Sequence, residues 1–336
     1  MLMKRRDFIT TLGLGLALAP WLPAIARAAA AEFFYFGQAP KHPKRIFAAG
    51  PPAAVLVHCL APHKLLGWPW PVPHFGLLPD DSVQLPMLGK LAGRGSTIPL
   101  ERLYALKPDL IVDAGNVDPS YLSQAEKTSA QLRLPYYLFS TRLAETPKLL
   151  HEAGLRFDEA KRGELLAAQA QAMLDHAKAN PLSGRVYLAR GPHGLEAGLA
   201  GSIHSEVLDF CGLTNVAASL GNQSLGQVSP EQLYTWQPQH IICQDRAQLD
   251  HIRANPAWQR LTAVQQGQVH LAPAQPFGWL DGPPSINRLL GLWWLEAVFK
   301  PELRPALPAK VADFYALFYG KRPNAMQLKL LLADLV

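Results

Sequence analysis

The sequence predicts an α/β protein of two lobes, each built on a central, mostly parallel sheet, with one long helix between them. Three observations lead there. The first is alternation: β-branched or aromatic runs at Arg45 to Ala49, Leu110 to Asp113, Tyr136 to Phe139, Arg185 to Ala189, His240 to Cys243 and Val269 to Leu271 are separated by helical patterns. The second is a repeat. Glu101-x-Leu103-Tyr104-x-x-x-Pro108-x-x-Ile111-Val112 returns 130 residues later as Glu231-x-Leu233-Tyr234-x-x-x-Pro238-x-x-Ile241-Ile242. Each copy has a proline at a helix start (Pro99, Pro230), a short helix, a proline that ends it and an apolar strand. A fainter echo pairs Arg45-Ile46-x-x-Ala49-Gly50-Pro51 with Arg185-Val186-x-x-Ala189-Arg190-Gly191-Pro192. The third is the stretch from Arg156 to Ala179, which lacks proline and carries apolar residues or alanine at Ala160, Leu165, Leu166, Ala168, Met173 and Leu174. It reads as one helix, ended by Asn180-Pro181. A stiff helix between lobes predicts limited closure on ligand.

In chain order, residues 1–31 form a charged head, a proline-broken apolar stretch and a small-residue exit, Ala28 to Ala31. The stretch is too short and too broken to span a bilayer comfortably. Its head, Lys4-Arg5-Arg6-Asp7-Phe8-Ile9, resembles the twin-arginine export signal of bacteria, which implies a mature protein in the periplasm. No cysteine precedes Cys59, which excludes a lipid-modified cysteine at the cleavage site. The remaining divisions are an N-terminal α/β lobe at 32–155, the connecting helix at 156–180 and a C-terminal α/β lobe at 181–336.

Composition narrows the function. The 32 basic and 26 acidic residues give a net charge of +6, half of it inside the first 31 residues, and no Lys/Arg run tracks a phosphate backbone, so nucleic acid is not expected as a partner. Cys59, Cys211 and Cys243 form no CxxC; the one pair worth testing as a disulfide is Cys211 with Cys243, against the plainer reading of buried thiols. HExxH, GxSxG, P-loop and GxGxxG motifs are absent from the part after the export segment, which leaves an exported enzyme the reading with least support.

Arg45-Ile46 with the Gly50-Pro51-Pro52 turn, Leu65-Leu66-Gly67, Leu100-Glu101-Arg102-Leu103-x-Ala105-Leu106-Lys107-Pro108-Asp109-Leu110-Ile111, the long helix and Ser205-Glu206-Val207-Leu208-x-x-Cys211-Gly212-x-x-Asn215-Val216 resemble the periplasmic binding proteins of iron-siderophore, haem and cobalamin ABC importers. The resemblance covers nearly all of the chain after residue 31. It implies two Rossmann-like lobes bridged by a backbone helix, a ligand between them, a permease and an ATPase as partners, and a monomer. It also implies an acidic residue on each lobe that docks onto permease arginines. By position these are Glu206 and, on the first lobe, Asp118, with Glu126 competing.

Ligands of open α/β sheets lie beyond the carboxyl ends of strands. The first lobe offers Trp68-Pro69-Trp70-Pro71-Val72-Pro73-His74-Phe75, a loop stiffened by prolines that can present Trp68, Trp70 and His74, or tuck onto its own lobe. His58 and His63 read as structural. The second lobe offers Arg190-Gly191-Pro192-His193-Gly194-Leu195-Glu196, in which Arg190 is a cation for acidic groups and His193 a metal ligand or hydrogen-bond donor. It also offers Phe277 to Arg288, where Trp279 and Arg288 are candidate contacts and Ser285 and Asn287 alternatively cap the following helix; its Pro-Pro-Ser-x-Asn-Arg run resembles a segment of a subgroup of those binding proteins. Trp293 and Trp294 read as core. Trp, Arg and His without clustered carboxylates favour an anionic metal chelate over a bare cation, with iron first and nickel or cobalt as alternatives. Cobalamin or haem, and an oxyanion such as molybdate or tungstate held by Arg190, Arg288 and loop amides, are the rivals.

Overall fold

The structure is a computed structural model and describes residues 33–72, 75–91, 95–222 and 225–335. Residues 1–31, read above as an export signal, and His74 lie outside the described residues.

The first half runs β1 (Phe33–Phe36), β2 (Ile46–Ala48), α1 (Pro51–Leu60), α2 (Asp80–Val83), α3 (Leu100–Ala105), β3 (Leu110–Gly115), α4 (Pro119–Leu132) and β4 (Tyr136–Ser140), then α5 (Thr146–Arg156) and α6 (Ala160–Ala179). The second runs β5 (Arg185–Leu188), β6 (Glu196–Gly198), α7 (Glu206–Phe210), β7 (Thr214–Asn215), β8 (Leu225–Gln227), α8 (Pro230–Trp236) and β9 (His240–Cys243). It ends with α9 (Arg246–Ala254), α10 (Thr262–Gln265), β10 (Val269–Leu271), α11 (Arg288–Phe299), α12 (Leu307–Phe314) and α13 (Ala325–Leu331). The protein is mixed α/β with two mostly parallel sheets. The first has the order β1-β4-β3-β2, with β1 antiparallel at the edge; the second is β10-β9-β5-β7 and parallel throughout, and β6 with β8 forms a small antiparallel ribbon.

The repeat is visible in the backbone. β4-β3-β2 in one sheet corresponds to β10-β9-β5 in the other. Both copies of the motif end their short helix on a left-handed residue, Lys107 at φ 46° and Gln237 at φ 42°, immediately before Pro108 and Pro238. Proline cannot extend the helix, and the left-handed residue turns the chain into the strand. Ser229 closes the start of α8 with a capping box to Gln232.

The long helix differs from expectation at its start. Residues 156–159 are not its first turn: α5 ends at Arg156, Asp158 takes φ 59°, and α6 begins at Ala160. The two helices form a hairpin whose contact is made by glycines. A Cβ on Gly154 would lie 2.7 Å from the Gly163 Cα, and one on Gly163 would lie 2.8 Å from the Leu150 carbonyl oxygen. Buried Lys64 fastens the turn by donating to the Phe157 carbonyl at 2.6 Å and pairing with Glu159 at 3.0 Å. His63 stands 3.3 Å from the same carboxylate.

One apolar cluster continues from α1 (Val55, Leu56) through α6 (Leu166, Met173, Leu174) into α11 (Leu289, Leu290, Trp294) and reaches strands of both sheets, Val112 and Val186 among them. His176 of α6 adds a 3.0 Å contact to Glu296 of α11. Cys59, Cys211 and Cys243 are all free and buried, so Cys211 and Cys243 are not paired, and burial pushes each thiol up to about 12.

Two imidazoles should make the fold acid-sensitive. His58 is buried between Trp68 and Tyr319 with neither ring nitrogen hydrogen-bonded, and desolvation lowers its pKa to about 4. His270 lies beside His240, with Nδ1 of His240 3.2 Å from Nε2 of His270; burial first, then the neighbouring His240, Arg304 and Arg253, lower it to about 4. An imidazole depressed on folding contributes stability above its unfolded pKa of about 6.5, and that contribution is lost as pH falls through the folded value. Each should cost about 3 kcal/mol between pH 7 and pH 4. Urea denaturation at the two pH values checks this; His58→Phe should remove its share of the acid loss, and equal midpoints at both pH values would contradict it.

Candidate functional site

The carboxyl ends of β2 and β3 face the second half across a cavity of about 210 Å³. Gly50, Pro51 and Pro52 wall it where β2 turns into α1; Asp113 to Asn116 do so at the end of β3, with Lys90 and Tyr121 beside them. The opposite wall is Ile203, His204, Pro283 and Pro284. The positive end of the α1 dipole points here, although Pro51 and Pro52 supply no N–H donors. The Ser285 hydroxyl donates to the Pro52 carbonyl at 2.9 Å and fixes the spacing of the walls.

Polar groups in the walls are tightly held. Asp113 is 4% exposed, accepting from the Tyr136 hydroxyl at 2.9 Å and the Ala114 N–H at 2.8 Å. Burial outweighs those hydrogen bonds and raises its pKa to about 6. Across the gap, His204 Nδ1 lies 2.9 Å from an oxygen of Asp281, a carboxylate only 1% exposed whose other oxygen faces the Arg190 guanidinium. Arg190 also reaches Glu196 at 3.4 Å, and the two residues exchange backbone hydrogen bonds of 2.8 and 3.1 Å that hold the turn between them.

A separate, smaller space of about 100 Å³ is lined by Gln244, Ala272 to Ala274 and Gly278 to Gly282, Trp279 among them. A third, of about 420 Å³, shares Gln244 and Ala272 to Ala274 and is largely apolar; Phe75, Leu77, Leu330 and Leu331 are among its other walls, and Arg246, which also lines it, pairs with Asp334.

Most of the residues expected at the site are elsewhere. Trp68 is 1% exposed, donates its indole N–H to the Ser82 carbonyl at 2.8 Å and packs on His58, Trp70 and Phe277. Trp70 is half-buried against Trp68 and Phe277. Trp279 is fully buried, its indole nitrogen 3.2 Å from the Tyr315 hydroxyl. The proline-stiffened loop thus turns its indoles inward, and the apolar faces gain more from core packing than from display. His193 is exposed, next to the His251 ring, and among the described residues no group of three His, Cys, Asp or Glu side chains is placed to hold a metal.

Arg288 and Glu206 also move inward. Arg288 is 1% exposed; it donates to Glu206 at 2.7 Å, to the Ile203 carbonyl at 2.7 Å and to the Ser285 and Thr141 carbonyls. Glu206 accepts in addition from the Leu143 N–H at 2.6 Å and lies 3.7 Å from Arg142, so its half-buried carboxylate is engaged within the protein. Asp118 caps α4, accepting from the Ser120 N–H at 2.8 Å, the Ser120 hydroxyl at 2.6 Å and the Tyr121 N–H at 3.2 Å, and these bonds lower its pKa. Glu126 is exposed on α4. Asn287 sits at the start of α11 but turns its amide to the Gly278 and Pro283 carbonyls, capping nothing. Of the expected contacts, Arg190 stays beside the cleft through Asp281.

Sequence reasoning missed Lys90, Asp113, Asn116, Tyr121 and His204. One signal was available. At the repeat's offset of 130 residues, Asp113 corresponds to Cys243, so a carboxylate stands near the carboxyl end of the strand in one copy where a thiol stands in the other.

A model of the periplasmic binding protein family matches residues 71–276. No curated protein matches. Among solved structures, an ABC transporter solute binding protein from Sulfurospirillum deleyianum is 29% identical, with a TM-score of 0.79 over 88% of this chain and 95% of that one. The molybdate periplasmic binding protein MolA of Haemophilus influenzae, bound to molybdate, is 20% identical with a TM-score of 0.69 over 85% and 96%. A periplasmic heme binding protein from Pseudomonas aeruginosa is 22% identical with a TM-score of 0.59 over 77% and 93%. At these identities the last two share the fold alone.

Proposed function

Since the chain belongs to the periplasmic binding protein family, we propose that it captures a compact oxyanion of the molybdate or tungstate kind in the periplasm and delivers it to an ABC importer. It is a binding protein and not an enzyme. The observation that carries the ligand reading is the size and chemistry of the cavity between the sheets. About 210 Å³ is bordered by Lys90, His204, Asn116, Tyr121 and the start of α1. A small anion needs such donors and a positive helix end, and needs no flat aromatic face. Burial of Trp68 and Trp279 removes much of the support for a planar chelate.

A second reading keeps the anionic metal chelate of iron, nickel or cobalt. It is favoured by the apolar space of about 420 Å³ that adjoins the one of about 100 Å³, since an organic carrier would fill it. Export by the twin-arginine route, two lobes bridged by α6, and a monomer that meets a permease and its ATPase complete the proposal.

Calorimetric titration with molybdate, tungstate and a ferric siderophore separates the readings, together with native mass spectrometry and elemental analysis of the exported protein. Lys90→Ala should weaken oxyanion binding by roughly 10- to 100-fold, the worth of one charge-assisted hydrogen bond. Iron, cobalt or nickel arriving with an organic mass, and no heat with either oxyanion, would replace the first reading by the second.

A further inference from the structure

We propose that Asp113 takes up a proton when the cleft binds its anion, and that the resulting carboxylic acid donates a hydrogen bond to the ligand. The inference rests on the oxyanion reading and adds to it a ligand class: dianions with no proton of their own, which can only accept.

The geometry poses the problem that the proton solves. Asp113 lies two residues before the end of β3, the second strand from the edge of the first sheet, and forms part of the cavity wall, while being almost excluded from solvent. As a carboxylate it would set a negative charge against an entering dianion in a place where water screens little. Its neighbours leave it short of positive charge. The Tyr136 hydroxyl and the Ala114 N–H donate to it, but both are neutral. Tyr121 of α4 faces it and is held in its protonated form by burial and by the charges of Asp113 and Asp118. Lys90 is the cation on its side of the cavity; on the far side are His204, bound to Asp281, and Arg190 behind that carboxylate. A proton on Asp113 removes the repulsion and turns an acceptor into a donor. Burial already places the group near pH 6 without ligand, so the proton is available at little cost around neutrality.

If only the protonated form binds, the apparent affinity falls with the protonated fraction, by about 75-fold between pH 5.5 and pH 8 for a group that titrates near 6. Wild type should show that loss in titrations with micromolar sodium molybdate and sodium tungstate. At pH 8 it should take up close to one proton per anion when two buffers of different ionisation enthalpy are compared. Asp113→Asn is uncharged at every pH and should abolish both the slope and the proton uptake, while His204→Gln should keep them. Carbon-detected NMR of the Asp113 carboxyl in the wild-type chain gives a readout independent of any variant's folding: its midpoint should rise by more than one pH unit on adding molybdate. A flat wild-type profile, an unmoved Asp113 midpoint with anion bound, or a slope that survives Asp113→Asn and vanishes in His204→Gln overturns the inference and leaves the oxyanion reading standing. Absence of binding of either dianion at pH 5.5 overturns the oxyanion reading itself, and this inference with it.

Discussion

Arg288→Met is expected to destabilise the protein by about 3–5 kcal/mol, because it breaks a buried ion pair from one side. The guanidinium, 1% exposed, joins three stretches distant in sequence: the Thr141 carbonyl after β4, the Ile203 carbonyl and Glu206 at the start of α7, and the Ser285 carbonyl before α11. Methionine approximates the stem of the side chain and removes every one of those donors. Glu206 would keep the Leu143 N–H and a loose contact to Arg142 at 3.7 Å, too little for a carboxylate in this setting. Chemical denaturation measures the loss directly. The double variant with Glu206→Gln should recover part of it, since the stranded charge is then gone. A loss below about 1 kcal/mol for the single variant would mean that the network adds little to stability.

Trp279→Ala should cost a similar amount, about 3–5 kcal/mol, through the cavity it leaves. The ring is fully buried and reaches the Tyr315 hydroxyl, which in turn donates to the Gln275 carbonyl. The backbone of the same residue lies on α11 so closely that a Cβ at Gly291 would be under van der Waals distance from the Trp279 carbonyl oxygen. The sequence had offered this tryptophan as a ligand contact. Thermal unfolding with ligand titration on the same sample decides between the two: a sharply lowered melting temperature supports the core role, and intact stability with lost binding restores the contact role.

What the sequence could and could not convey follows from the kind of pattern involved. β2, β3, β4, β5, β9 and β10 were legible as short apolar runs between helical patterns, and the repeat supplied β3 with β9 and, more faintly, β2 with β5; the two-residue β7 is too short to leave a pattern. β1 was not, since an aromatic run just after residue 32 pairs antiparallel with β4 and has no counterpart in the second sheet. The turn at 157–159 was hidden because it contains neither glycine nor proline; the glycines that require it, Gly154 and Gly163, flank it at a distance. At the site, composition misled. An indole in a proline-rich loop reads identically whether its ring faces inward or outward, and an arginine that gathers carbonyls reads like one that awaits an anion. The wall residues Lys90, Asp113 and His204 come from separate segments that only the folded chain brings together.

The apolar cluster that passes through α1, α6 and α11 without a break bears on how the molecule denatures. Each sheet also packs a smaller cluster of its own, around Ile111 and Leu138 in the first and Ile241 and Leu249 in the second, but the larger cluster is shared between the halves, so melting should be a single cooperative event with one calorimetric endotherm, its enthalpy matching the van't Hoff value. For an importer's cargo carrier this means that a damaged half is not left behind as a folded decoy able to sequester solute; the chain is lost to proteolysis as a whole.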